Sequence, residues 1–306
     1  MLNSCILITS HLNSPDKEQI ALGLIDFLKD KNLPIIFVGN YKIPESIQEK
    51  VDWVFYTKEN PSINRHMHVW HQLPFDPKFK TNIAYKDYGY AHLLQTYRGF
   101  KLADNLGYDH VIHINYDMGF PDNAFQTVLD EIKTNPNLVM WWGEENSQNG
   151  YATNFYCFNI KDFISMSDRY LHFYKNNNPP GIRKGWYCEP FFEWMVNKSS
   201  VNHKKIKLNI ENKAQFLHFR ISGKLCKFYG WEEKNILLLW FEHDTPPNLN
   251  ELTFHHKNNF VQASPTPHPR YFTLPLSKGE YFTLEKEFTF KVDDPHLDVW
   301  KVIPMH

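Results

Sequence analysis

The chain is short of cysteine, of unbalanced charge and of long apolar runs, and each shortage removes a class of protein. Its four cysteines, Cys5, Cys157, Cys188 and Cys226, form no C-x-x-C pair. Neither a zinc knuckle nor a thioredoxin-type site is therefore expected, and the thiols are expected to be free and mostly buried. Lys plus Arg is 33 against 34 Asp plus Glu, a net charge of −1. That balance leaves no electrostatic footprint for nucleic acid, so no nucleic-acid partner is expected. The longest apolar runs, such as Ile236 to Phe241, reach six residues, against about 20 for a membrane-crossing helix. Met1-Leu2-Asn3-Ser4-Cys5 has no basic stretch ahead of an apolar core, unlike a secretory signal. The expectation is a cytoplasmic protein with no signal peptide or transmembrane helix; peripheral contact with a membrane through a local patch stays open. Glycine signatures are missing as well. There is no G-x-G-x-x-G after the first strand, no P-loop and no G-x-S-x-G elbow, so dinucleotide, P-loop and α/β-hydrolase sites have no support.

What is present fits a folded globular chain: 42% apolar and 22% charged residues in 306, enough for a sizeable core and one large or two smaller domains. Aromatics reach 16%, and asparagines number 28. Such side chains grip sugars, although a biased genome gives the same counts.

The hydrophobic pattern reads as alternating strands and helices. Residues 5–10 form a short buried strand. Ser14, Pro15, Asp16 and Glu18 open a helix with a cap, a proline at its first position and acids on the N-terminal dipole. Its apolar face is Ile20, Leu24, Phe27 and Leu28. A second buried strand covers 33–40 and a third 51–56. Residues 57–86, rich in Asn, Pro, His and Lys, read as a long loop. A helix from about Tyr88 to Leu106 ends at Gly107, a good C-terminal cap. A strand over 109–117, a helix from Pro121-Asp122 and a strand over 138–142 follow. A strand over 151–160, a helix over 161–174, the breaker at 176–181 and a short helix over 190–197 complete this part. Continuous apolar strands joined by helices predict an α/β fold with a mostly parallel sheet. Beyond about 205 the segments are short, β-rich and separated by turns. The expected division is an α/β domain over 1–219 and a β-rich domain or extension over 220–306.

The stretch His113-Ile114-Asn115-Tyr116-Asp117 is the most informative for chemistry. On a strand, residues i and i+2 share a face, so Asn115 and Asp117 would present two oxygen groups together. In open α/β sheets, ligands bind outside the carboxyl ends of the strands. Hard oxygen ligands there suit Mg²⁺ or Mn²⁺ held also by a diphosphate. His113, on the same face, reads as a satisfied buried histidine. Two acids, Glu189 and Glu193, lie at a helix start among Trp186, Tyr187 and Trp194, and either could act as a general base. Glu144 and Glu145 follow Trp141-Trp142 at another strand end. The aromatic cluster could be a sugar platform, although most buried aromatics are core. His66, His68 and His71 have no acidic partner nearby.

With these features in order, the chain resembles the nucleotide-sugar glycosyltransferases of the GT-A fold over roughly residues 4–200. The resemblance rests on the polar strand end Thr9-Ser10-His11, the helix Asp87-Tyr88-Gly89-Tyr90…Arg98-Gly99-Phe100-Lys101, and the acidic strand end at Asp117. Residues 34–40, followed by 43–45, and residues 56–61 are also similar to small transferases of bacterial or viral surface-glycan clusters. The resemblance implies a nucleotide-diphosphate sugar as donor, a glycan or lipid-linked hydroxyl as acceptor, and a setting in surface polysaccharide or glycoconjugate synthesis. It places the nucleotide on Thr9, Ser10, His11, Asn40, Tyr88, Gly89, Asn115 and Tyr116, with Arg98 near the phosphates. It implies a divalent metal (Mn²⁺ or Mg²⁺) on Asp117 with Asn115, completed by a late histidine, His218 or His243. Asn115 stands where the family usually has Asp, which removes one charge and lowers the expected metal affinity. Two other readings stay open: a non-catalytic carbohydrate-binding protein on a transferase scaffold, and a nucleotidyltransferase. The latter lacks the Gly- and basic-rich loop expected after its first strand.

Overall fold

Seven consecutive buried residues make β1 (Ser4–Ser10) a strand covered on both faces. In the computed structural model the chain then forms α1 (Pro15–Lys29), β2 (Ile35–Gly39), α2 (Glu45–Gln48) and β3 (Trp53–Tyr56). The structure describes residues 3–68, 81–121, 123–141, 150–175, 188–208, 210–213, 220–221, 224–231, 234–241, 252–266, 271–284, 288–292 and 299–304. After β3 come β4 (Ile63–His68) and β5 (Thr81–Asp87), then α3 (Gly89–Asn105), β6 (His110–Asn115), β7 (Met118–Gly119), α4 (Ala124–Glu131), β8 (Leu138–Trp141) and β9 (Tyr151–Asn159). Helices α5 (Ile160–Tyr170), α6 (His172–Lys175) and α7 (Cys188–Ser199) lead to β10 (Lys204–Ile206) and β11 (Glu211–Asn212). Asn159 caps α5, its side-chain oxygen accepting from the backbone N–H of Lys161 and Asp162, which satisfies two otherwise orphaned donors.

The chain divides into two compact units: Met1–Ile63 with Asp87–Gln215, and Asn64–Lys86 with Phe216–His306. The first unit carries a seven-stranded sheet in the order β10-β8-β9-β6-β1-β2-β3. Every neighbouring pair is parallel except those of β9, which runs against β6 and β8. Strand alternation splits the core. Ile6, Ile8, Ile112 and Ile114 face α1 and α4 through Leu24, Ile25, Leu28, Phe125 and Val128. Cys5, Leu7 and Val111 face α3, α5 and α7 through Leu93, Phe100, Phe163, Phe192 and Met195. Helix α3 lies close to β1 because Gly99 has no side chain; a Cβ there would sit 2.6 Å from Leu7 Cδ1. The result is a mixed α/β fold with a large, mostly parallel central sheet flanked by helices, consistent with a GT-A-like fold.

The second unit is built of mostly antiparallel sheets. Its later strands are β12 (Arg220–Ile221), β13 (Lys224–Trp231), β14 (Ile236–Phe241), β15 (Thr253–His256), β16 (Asn259–Gln262), β17 (Ser264–Pro265), β18 (Tyr271–Pro275), β19 (Tyr281–Leu284), β20 (Phe288–Lys291) and β21 (Val299–Pro304). One sheet runs β17-β18-β14-β13-β21-β5-β4, with β12 on β13 and one parallel pair, β13 and β21, and the other β16-β15-β19-β20. Phe228, Leu237 and Leu239 of the first share a core with Phe254, Phe282 and Leu284 of the second. Residues 57–86, read from sequence as a loop, thus contain two strands, and the β-rich unit takes in 64–86 besides the residues after 215. Strand β5 pairs with β21, from Lys301↔Ala84 to Pro304↔Thr81. A partner more than 200 positions away leaves no local signal in a polar-rich segment, where pairing depends on context more than on propensity.

Cys5, Cys157 and Cys226 are buried and Cys188 is half-buried, all as free thiols. Burial pushes the Cys5 thiol up to about 12. No helix among the described residues is long and apolar enough to cross a membrane.

Candidate functional site

Strands β2 and β3 continue from β1 toward one edge of the sheet, whereas β6 lies on the other side of β1. The point where the order reverses opens a crevice outside the carboxyl ends of the strands, the usual ligand position in such sheets. A cleft of about 210 Å³ sits there. Thr9, Ser10 and His11 from the end of β1, Asn40 after β2, and Asn115 and Tyr116 at the end of β6 line it. Tyr88, Ala91, His92 and Gln95 come from the start of α3, and Glu59 and Asn60 follow β3. Its volume is below the roughly 300–1,000 Å³ of sites that enclose a whole drug-sized ligand, so it matches a fragment of a larger molecule. A larger hollow, about 560 Å³, lies at the opposite ends of the strands around Asn137, Arg169 and Lys204, away from the switch point.

Hydrogen bonds fix the cleft walls. Gln95 Nε2 donates to the carbonyls of Ser10 (3.0 Å) and Val38 (3.2 Å), tying α3 to β1 and β2. Ser10 Oγ donates to the Val38 carbonyl at 3.1 Å. Asn40 Nδ2 and His11 Nδ1 are 3.2 Å apart, and the His11 ring meets Tyr41 edge-on at 4.9 Å. The Tyr116 N–H donates to the Thr9 carbonyl at 3.0 Å. Beneath Asn115 lie Thr9, Thr96 and the fully buried His113. Burial holds the His92 and His113 imidazoles below their ordinary range, and the proximity of His92 lowers His113 further. Three carboxamide oxygens at this end of the sheet, on Asn13, Asn40 and Asn154, are buried without a hydrogen-bond partner. Such acceptors are uncommon in folded interiors, and of the three only Asn40 lines the cleft.

The expected residues are placed as follows. Thr9, Ser10, His11, Asn40, Tyr88, Asn115 and Tyr116 come together in the cleft. Gly89 serves packing instead: a Cβ there would lie 2.9 Å from Cys188 Cβ and against the Tyr174 hydroxyl. The same Tyr174 hydroxyl donates to Asp87 Oδ2 at 2.8 Å, and Asp87 Oδ1 accepts from the Gly89 N–H at 2.7 Å. Arg98 does not line the cleft; its guanidinium pairs with Glu59, which does. Glu189, near the start of α7, accepts from Thr153 Oγ1 at 3.2 Å. Burial pushes its carboxyl above the ordinary range and nearby Asp87 adds to this, while hydrogen bonds from its own backbone N–H and from Thr153 oppose the rise. Glu193 lies one turn on, where its charge is felt by Tyr151. His218, His243, Glu144, Glu145, Trp142, Trp186 and Tyr187 lie outside the described residues.

The pair expected to hold a metal is not assembled as the strand alternation predicts. Strand β6 ends at Asn115, and Tyr116 and Asp117 form a turn. The strand therefore stops two residues short of Asp117, and the i, i+2 rule does not put Asp117 beside Asn115. Asp117 does not line the cleft, and its charge is felt by Lys17 of α1. The Asn115 oxygen already accepts from Thr9. Among the described residues no three His, Cys, Asp or Glu side chains gather as a metal-holding group. Among the described residues, the side chains at this strand end do not by themselves make up a ligand set for a divalent ion.

Sequence reasoning did not pick out His92 and Gln95. The signal was available, because Tyr88, His92 and Gln95 recur at helical spacing on one face of the helix start.

No protein-family model and no curated protein sequence matches the chain. Among solved structures, it is similar to the crystal structure of a glycosyltransferase involved in the glycosylation of the major capsid of PBCV-1. The alignment covers 66% of this chain and 82% of that chain, at 9% identity and a TM-score of 0.40. A likeness that remote assigns no activity.

Proposed function

We propose that the chain is a glycosyltransferase that moves a sugar from a nucleoside-diphosphate donor to a hydroxyl of a glycan or lipid-linked acceptor. The observation that carries this reading is the cleft at the β1–β6 switch point, where seven residues expected to hold a nucleotide converge. The nucleoside would enter against Tyr88, whose ring is half-exposed at the cleft wall and offers a stacking face. His11, Asn40 and Glu59 would meet its polar edges. Glu189 would take the proton of the acceptor hydroxyl as that oxygen bonds to the sugar's anomeric carbon and the bond to the diphosphate breaks. Burial suits it to this work, because a raised carboxyl is a better base near neutral pH.

The test is a thermal-shift and donor-hydrolysis panel with UDP, GDP, CMP and dTDP and their common sugars. Specific binding raises the midpoint by mass action, about 2.7 kcal/mol of stabilisation at a hundred times Kd. One nucleotide class should shift the wild type and shift Tyr88→Ala less at the same concentration. A panel in which no nucleotide shifts the protein but glycans do would replace this reading with that of a carbohydrate-binding protein.

A further inference from the structure

The buried hydroxyls and imidazole behind Asn115 have a determinable polarity. Thr96 Oγ1 donates to the His92 carbonyl, one turn back, at 3.0 Å. A hydroxyl has a single proton to give, so toward His113 Nε2, 3.4 Å away, Thr96 can only accept. The ring proton of neutral His113 is therefore on Nε2. That same N–H faces Thr9 Oγ1 at 2.9 Å, so Thr9 accepts from it and keeps its own proton for Asn115 Oδ1, also at 2.9 Å. The opposite arrangement would strand a proton on His113 Nδ1, which is buried with no partner. An orphaned buried N–H is rarer than an under-used acceptor.

The chain of bonds thus runs one way, from His113 through Thr9 to the oxygen of Asn115. The carboxamide oxygen is turned back onto Thr9, which takes one of its two lone pairs, so the NH2 group is the part of Asn115 that points away from Thr9 on the cleft wall that it lines. A cation needs an oxygen at that position, whereas an NH2 group needs an acceptor.

Resting on the nucleotide-sugar reading above, we propose that His113 and Thr9 are positioning residues that hold Asn115 as a direct hydrogen-bond donor to an anionic diphosphate oxygen of the donor, with no cation between them. Asn115 is then the binding residue, and its difference from the family's aspartate changes the chemistry of the position. A carboxylate would repel the diphosphate and could serve only through a metal ion. The amide needs no ion, and the Thr9 hydroxyl prevents it from turning its oxygen outward.

Two measurements decide this. In protein labelled with ¹⁵N-histidine, without any ligand, the His113 ring should show a protonated Nε2 and a bare Nδ1. Its signals are assigned by their loss in His113→Gln or, if that variant does not fold, by their shift in Thr9→Val. A His113 ring protonated on Nδ1 overturns the relay. Calorimetric titration with UDP, GDP, CMP and dTDP then reads the ligand. The nucleotide that binds should bind wild type equally, within about twofold, in EDTA and in Mn²⁺. Asn115→Asp should lose at least about tenfold in EDTA and regain it with Mn²⁺. A wild type that loses at least tenfold in EDTA and recovers with Mn²⁺ overturns the direct contact. If none of the four binds in either medium, the nucleotide reading falls and the diphosphate ligand with it, while the tautomer alone still decides the relay.

Discussion

Thr153 holds Glu189 by its side chain and the cleft by its backbone. Its hydroxyl donates to Glu189 Oε1 at 3.2 Å, and its carbonyl accepts from His92 Nε2 at 3.0 Å. One residue of β9 therefore couples the candidate base to a residue of the nucleotide cleft. Burial raises the Glu189 carboxyl above its ordinary 4.5, so the folded chain keeps a proton there at pH values where the unfolded chain has released it. The stability this group contributes is fully present below about pH 4.5 and is lost as pH rises through the folded value. Glu189→Gln should flatten that part of the melting-temperature profile. For inverting transfer it should also lower the rate by roughly 10²-fold or more, as loss of a general base does. A Gln variant that transfers at the wild-type rate would remove Glu189 as the base.

Tyr88 presents its ring at the cleft wall and is 46% exposed. Tyr88→Ala should weaken nucleotide binding by about 1–3 kcal/mol, roughly 5- to 150-fold, the range for a base stacked on an aromatic side chain. Its melting temperature should stay near wild type, because an exposed side chain carries little of the fold. Unchanged affinity in a calorimetric titration would take the nucleoside off this ring.

Arg98 is engaged with Glu59, and only Glu59 lines the cleft. The pair is partly exposed, and its loss should cost less than about 1 kcal/mol of stability. Arg98→Ala and Glu59→Gln should alter nucleotide affinity by similar amounts, and the double variant should add little to either. An Arg98→Ala loss of more than about tenfold that Glu59→Gln does not reproduce would instead indicate a direct contact between Arg98 and phosphate.

The approach of α3 to β1 depends on Gly99. An added Cβ would stand 2.6 Å from Leu7 Cδ1 and 2.7 Å from Leu7 Cδ2. Overpacking of this kind costs about 1–3 kcal/mol, so Gly99→Ala should lower the denaturation midpoint accordingly. Because Leu7 is the atom source of the clash, Leu7→Val in the same chain should restore part of the loss. Strict additivity of the two changes would show that the clash is relieved elsewhere.

Much of the first unit was legible because its signals are local. The apolar run at Ile6-Leu7-Ile8, the Ser14-Pro15 helix start and the stripe of Leu24 and Leu28 each point to one element without reference to distant residues. Thr9, Ser10, His11 and Asn40 were named through the family resemblance, and the structure places them together at strand ends, where ligands of such sheets bind. Where the reading depended on a boundary it failed by little and mattered much: β6 stops at Asn115, so alternation does not carry to Asp117. The resemblance puts Gly89 among the nucleotide residues, whereas in the structure Tyr174 and Cys188 fill the space beside it. The polarity of Asn115 was not legible at all, because it is set by Thr9, Thr96 and His113, which come from three different elements.

The pairing of β5 with β21 has a consequence for how the chain is made. Thr81–Asp87 leaves the ribosome early, yet its partner Val299–Pro304 emerges more than 200 residues later. At about 5–20 residues per second, β5 waits on the order of ten seconds or more with its hydrogen-bonding edge toward β21 unpaired, while the segments for the parallel sheet emerge on either side of it. Non-local pairings of this kind are slow to close and exposed to aggregation until they do. Nascent chains stalled before residue 299 should therefore depend on a chaperone to remain soluble, whereas chains released after Pro304 should not.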